Sequence, residues 1–229
     1  MSEHAGNLSD LCGPLRPYNA ENAENAEIAE KSKPMDQIPL WLKIAYTLFI
    51  CVLVPVYVVQ YGPGNFLWFS DIALLVTAAA LWLESSLLPS MMALSVIVLE
   101  TVWIVDFIIE LIAGSSVIGL SAYMFDSKIS LPIRALSLFH VFLPVTLVWL
   151  LYRFGYNTRA LTAQTLLAWI VLPASYFLTR PSQNVNWVYG PGSGPQKWMP
   201  AALYLVLLML AFPLVLYLPT HFLLKKLFN

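Results

Sequence analysis

The sequence predicts an all-α, polytopic integral membrane bundle of six transmembrane helices with both termini in the cytoplasm (N-in/C-in). Three observations carry that reading. Of the 229 residues, 59% are hydrophobic and 11% charged, and the mean hydropathy is +0.71, far from the values of a soluble domain. Six apolar stretches reach the ~20 residues needed to cross a hydrocarbon core about 30 Å thick. Lys and Arg near the ends of those stretches divide unequally between the two sides, seven against four.

Residues 1–36 are polar, carry the Asn-Ala-Glu run of residues 19–27, and lack an apolar stretch that would serve as a signal peptide. They read as a disordered N-terminal tail, with Met35 as a candidate start site and residues 37–229 as the transmembrane domain. The six spans fall at residues 39–60, 65–83, 87–112, 131–152, 161–179 and 199–224. The stretch 114–125 is apolar but too short to span. It reads as a re-entrant or interfacial piece or an extension of the third helix, and raises the count to seven if taken as a span. Cytoplasmic Lys31, Lys33, Lys43, Arg153, Arg159, Lys225 and Lys226 then oppose Lys128, Arg134, Arg180 and Lys197 outside.

Asp71, Glu100, Asp106, Glu110 and His140 interrupt the apolar spans. A charge in hydrocarbon is costly, so such residues face a protein interior or a water-filled cavity and mark function. Counting the helical rise inward from the outer face places Ser70 and Asp71 about 8 Å deep, Asp106 about 9 Å, Glu110 about 3 Å and His140 about 13 Å. Asp106 and Glu110, four residues apart, share one helical surface. Glu100 is deeper and on another face, so it falls outside the expected group, and Glu84 reads as a membrane-boundary residue.

Tyr61-Gly62-Pro63-Gly64 precedes the second span and Tyr189-Gly190-Pro191-Gly192 closes the longest inter-helix loop, which repeats one tight-turn signal on the outer side. Asn184, Asn186 and Trp187 either cap a site there or order the loop. Pro144 lies four residues after His140, removes the amide that would bond the His140 carbonyl, and predicts a bend. His221 has no carboxylate companion and reads as structural.

Some function classes have no residues to stand on. A net charge of −1 offers no basic field for nucleic acid, and Cys12 and Cys51 offer neither a metal spacing nor a disulfide framework. There is no glycine-rich phosphate loop, HExxH, CxxC or GxSxG, and no Lys placed for a retinal Schiff base. The residues identify no cofactor. The expected partners are membrane lipids, with a lipid or a cation as substrate.

Three readings stay open. One is acyl transfer or hydrolysis on a lipid, with Ser70 as nucleophile, His140 as base and Asp71 or Asp106 orienting the imidazole; Ser70 and Asp71 diverge by about 100° around their helix, so they do not point at one spot. A second is a proton- or cation-coupled carrier or a metal-binding protein, because the spans hold carboxylates without Lys or Arg deep enough to neutralise them. Asp71, Asp106, Glu110 and His140 would there form a mixed oxygen and nitrogen set suited to a divalent metal. The third is a non-catalytic membrane protein in which the carboxylates hold helices together.

The order Phe69-Ser70-Asp71, Leu138-Phe139-His140, Gly155-Tyr156, Asn184 to Trp187 and Pro200 to Tyr204 resembles the pattern of the bacterial YwaF-type integral membrane proteins. Those are similar in turn to eukaryotic transmembrane phospholipid acyltransferases that use a Cys/His pair. The resemblance spans about Tyr61 to Leu224, and the string also looks like an uncharacterised bacterial family of polytopic membrane-associated proteins. It implies that His140 matches the family's histidine, that Ser70 stands where a cysteine precedes the aspartate, and that the protein sits in a bacterial inner (plasma) membrane. Serine can serve as an acyl nucleophile with a base but lacks the thiol's intrinsic nucleophilicity, so at Ser70 the chain departs from the pattern on which the family's covalent step rests.

Overall fold

The computed structural model describes residues 38–192 and 194–228, so the tail expected at 1–36, with Cys12 and Met35, lies outside the described residues. The helices are α1 Leu40–Tyr61, α2 Phe69–Leu83, α3 Leu87–Ala113, α4 Leu131–Leu136, α5 Phe139–Phe154, α6 Ala160–Leu178, α7 Ala201–Ala211 and α8 Leu218–Phe228. No strand occurs among the described residues. The chain is an all-α membrane bundle.

Among the described residues, five helical segments are long and apolar enough to cross a membrane: α1, α3, α4 with α5, α6, and the rod formed by α7, a π-helical stretch and α8. The second expected span differs. Its α-helix has 15 residues, a rise of about 22 Å, short of the hydrocarbon thickness. The backbone explains the late start. Gly62 takes φ 82°, Pro63 lacks an N–H and opens a 3₁₀ turn over Pro63–Leu67, and extended Trp68 (ψ 135°) separates that turn from α2.

The distribution of side chains suits a lipid solvent. Large apolar residues such as Trp41, Leu48, Val59, Ile112, Val145, Ile170 and Leu214 are exposed, while Thr77, Ser90, Ser95, Gln164 and Ser175 are buried. A soluble protein would not expose apolar surface around its whole girth. In α1 only Tyr46, Leu53 and Tyr57 are buried; their spacing of seven and four defines one narrow inward stripe on a peripheral helix. The α3 helix is central, packed on α2, α5, α6 and α8, and buries ten residues. Small Ser90, Ala93 and Ser95 among them let neighbouring backbones approach.

Prolines inside the rods leave carbonyls to satisfy. Pro213 has no N–H for the Met209 carbonyl one turn earlier, and the Trp169 indole of α6 donates to that oxygen instead (3.0 Å). The surrounding stretch Phe212–Tyr217 is π-helical. Short connections, 84–86 and 155–159, lie at one end of the bundle; the long loops 114–130 and 179–200 lie at the other with residues 62–68.

At the short-loop end, Glu84 Oε1 accepts from Lys43 Nζ (2.7 Å) and from the Ile38 amide (3.1 Å), tying α1 to the α2–α3 turn as its boundary position predicts. The Lys43 hydrogen bond holds the Glu84 carboxyl below the ordinary carboxylate range. A depressed folded pKa contributes stability that is present above the unfolded value and lost as pH falls through the folded one. Thermal unfolding in detergent is therefore expected to show a loss of stability below about pH 4 that is flattened in Glu84→Gln. An identical acid limb in the variant would show that the pair contributes nothing.

Candidate functional site

At the long-loop end, α1, α2, α3 and α5 enclose a cavity of about 390 Å³. Eight of its twenty lining residues are Phe, Trp or Tyr, against 14% of the chain, so the space is walled by ring faces. Its polar groups include Ser70, Asp71, Glu100 and His140, and among the described residues no Lys or Arg lines it.

The central feature is a carboxylate–imidazole pair. His140 stands on the first turn of α5, and its Nδ1 lies 2.8 Å from Glu100 Oε2 of α3. The Glu100 side chain is 4% exposed and that of His140 15%. In the tautomer that pairs with an ionised Glu100, which only accepts hydrogen bonds, Nδ1 carries the proton and donates. Nε2 then holds the lone pair, and it has no protein partner among the described residues. Trp103, three residues after Glu100 and so on the same face of α3, stacks on the imidazole with centroids 4.7 Å apart. Phe139 packs on it as well, at 4.1 Å. The ring orientation is set by both a hydrogen bond and flat contacts.

This corrects the expected grouping. Glu100, placed outside it by depth and face, is the partner of His140. Asp106, expected as an orienter, is occupied elsewhere: Oδ1 accepts from the Ile118 amide (2.9 Å), and Oδ2 from the amides of Gly119 and Ser121 and from the Ser121 hydroxyl (3.1 Å each). The Ser121 hydroxyl also lies 3.4 Å from Glu110 Oε2. The two acids at the end of α3 therefore secure the loop that follows it. That loop, the non-spanning stretch 114–125, contributes Gly119, Leu120 and Tyr123 to the cavity wall.

Asp71 lines the cavity and is 4% exposed. Asn65 donates to its Oδ2 (3.3 Å), whereas Oδ1 has no hydrogen-bond partner among the described residues. Ser70 lines the same cavity, and no hydrogen bond joins it to His140 among the described residues. The proposed metal set of Asp71, Asp106, Glu110 and His140 does not assemble: among the described residues no three His, Cys, Asp or Glu side chains are grouped to hold a metal ion.

The 179–200 loop both orders itself and closes the site. Asn184 donates to the carbonyls of Gly190 (2.8 Å) and Gly192 (2.7 Å) and accepts from the Tyr189 amide, so the second tetrapeptide is folded around it. Gly190 is obligatory there, since a Cβ would sit 2.8 Å from the Gln196 nitrogen and the Gly194 oxygen. Asn186 accepts from the Phe69 amide (3.1 Å) and donates to the Leu67 carbonyl (2.7 Å). It thus satisfies an orphan amide at the start of α2 from 117 residues away, the work of an N-cap done by another segment. Trp187 meets Trp68 edge to face, with centroids 5.7 Å apart, beside the cavity. Asn184, Asn186 and Trp187 all have positive φ, unfavourable for Trp above all, and the network of bonds holds them there.

Other side chains of the site carried no signal in the sequence. Tyr57 of α1 and Ser137, between α4 and α5, share a buried hydrogen bond (2.8 Å) on the cavity wall. His221, read as structural, pairs with the Tyr156 hydroxyl (2.7 Å) away from the cavity. Comparison of the chain with family models, curated proteins and solved structures gives no match.

Proposed function

We propose that this cavity performs acyl transfer or hydrolysis on a lipid, with His140 as general base, Glu100 as its orienter and Ser70 as nucleophile. The observation that carries the reading is the Glu100–His140 pair, which leaves Nε2 as the available nitrogen of a ring stacked at the cavity wall. A base oriented by a third group, in a space that also holds a hydroxyl, supplies two parts of the arrangement a serine nucleophile needs; the third, a hydrogen bond from Ser70 to His140, would form with substrate in place. The aromatic walls suit an acyl chain or glyceride, and an N-in/C-in orientation, with the short α2 crossing as the sixth span, would open the site to the outer half of a bacterial inner membrane.

The step balances on these groups. Ser70 Oγ attacks the ester carbonyl while its proton passes to His140 Nε2; the carbonyl carbon to alkoxy oxygen bond breaks, and the leaving alkoxide takes the proton from Nε2. The acyl-serine is then cleared by water or by an acceptor hydroxyl, deprotonated in turn by the same nitrogen. Glu100 stabilises the imidazolium in both halves.

Purified protein in lipid nanodiscs, given a phospholipid with a fluorescent acyl chain, is expected to release or transfer that chain. Ser70→Ala and His140→Ala are each expected to lose about 10³-fold or more of that rate. Unchanged turnover in both variants, or none in the wild type across lipid headgroups and acceptor alcohols, overturns the reading.

A further inference from the structure

We infer that the same cavity binds an organic ammonium group, with Asp71 as its counter-ion and the surrounding rings as its cage. Asp71 is buried and lines the cavity, and its Oδ1 has no hydrogen-bond partner among the described residues. Glu100 has His140 opposite it; among the described residues the Asp71 carboxyl has only the neutral Asn65 amide. Among the described residues no Lys or Arg lines the cavity, so an ionised Asp71 has no cationic side chain there to offset it and needs a cation from outside.

The surroundings select among cations. A divalent metal needs several oxygen or nitrogen ligands, and no three acidic, His or Cys side chains converge among the described residues. An ammonium bearing carbon substituents needs one carboxylate and ring faces, which attract it through their quadrupoles while burying its apolar surface. Tyr57 and Tyr61, edge to face at 5.2 Å, and Trp68 with Trp187 supply such faces. The ligand class is therefore a quaternary ammonium, carried by a lipid headgroup or by a free quaternary amine. This assignment stands on Asp71 and does not depend on the chemistry of His140.

The test is titration of choline and of tetramethylammonium into purified protein, read by tryptophan fluorescence at constant ionic strength, since Trp68, Trp103 and Trp187 line the cavity. In phosphatidylglycerol nanodiscs, which hold no competing ammonium, saturable quenching is expected that sodium does not reproduce. Asp71→Asn is expected to weaken it about tenfold or more, and Trp68→Leu to weaken it severalfold, so the aromatic variant carries the test if the aspartate variant does not fold. Phosphatidylcholine nanodiscs then separate the sources. Competition there identifies a lipid headgroup as the occupant, and undiminished choline binding identifies a free amine. Absence of saturable quenching in phosphatidylglycerol, or equal affinity in wild type and both variants, overturns the proposal; a carboxyl that is simply protonated gives that result. Binding is read without turnover, so its failure is distinct from failure of the acyl chemistry.

Discussion

Replacing Glu100 by Gln is expected to lower lipid-ester turnover by about 10²–10⁴-fold, a barrier increase of about 3–5 kcal/mol, while leaving the bundle folded. The substitution keeps the shape and one acceptor for the Nδ1 proton, 2.8 Å away in the wild type. It removes the charge that stabilises the imidazolium, and an amide turned the other way would donate to Nδ1 and move the ring proton to Nε2. That tautomer cannot accept a proton from Ser70. Because the two residues act as a unit, Glu100→Gln in a His140→Ala background is expected to cost little more. Rates in the four proteins of that cycle check it, and additive losses would show that Glu100 acts elsewhere.

Replacing Asp106 by Ala is expected to destabilise the protein by about 3 kcal/mol or more, without first touching the chemistry. Three backbone amides and a hydroxyl converge on its carboxylate, and Asp106 and Ser121 are buried. Removing the acceptor strands those donors, each costing about 1–3 kcal/mol if left unsatisfied. The damage falls on the loop that walls the cavity at Gly119, Leu120 and Tyr123. The expected result is earlier unfolding in detergent together with faster hydrogen exchange across residues 114–125. Exchange in that loop unchanged from wild type would remove the anchoring role.

The spans were legible because apolar runs about 20 residues long have one solution in lipid. The start of α2 was not, because it depends on Asn186 meeting the Phe69 amide from a distant loop. The site was legible in part. His140, Ser70 and Asp71 line one cavity as depth counting expected, but Glu100 did not stand out. The error lies in α3, whose 27 residues rise about 40 Å, more than the hydrocarbon needs. Its last turns exceed the span, and the side chains of Asp106 and Glu110 there bond the following loop. Glu100 and Asp106 point about 120° apart, so only one of them faces α5. A usable signal was present: Glu100 and Trp103 share a face about one turn below the depth of His140, within reach of a glutamate side chain.

Labelling with a lipid-like fluorophosphonate, located by peptide mass spectrometry, tests most directly whether the Glu100–His140 pair activates Ser70. The expected result is an adduct on Ser70 in the wild type, formed about 100-fold or more slowly in His140→Ala and in Glu100→Gln. Equal labelling of wild type and His140→Ala would contradict it.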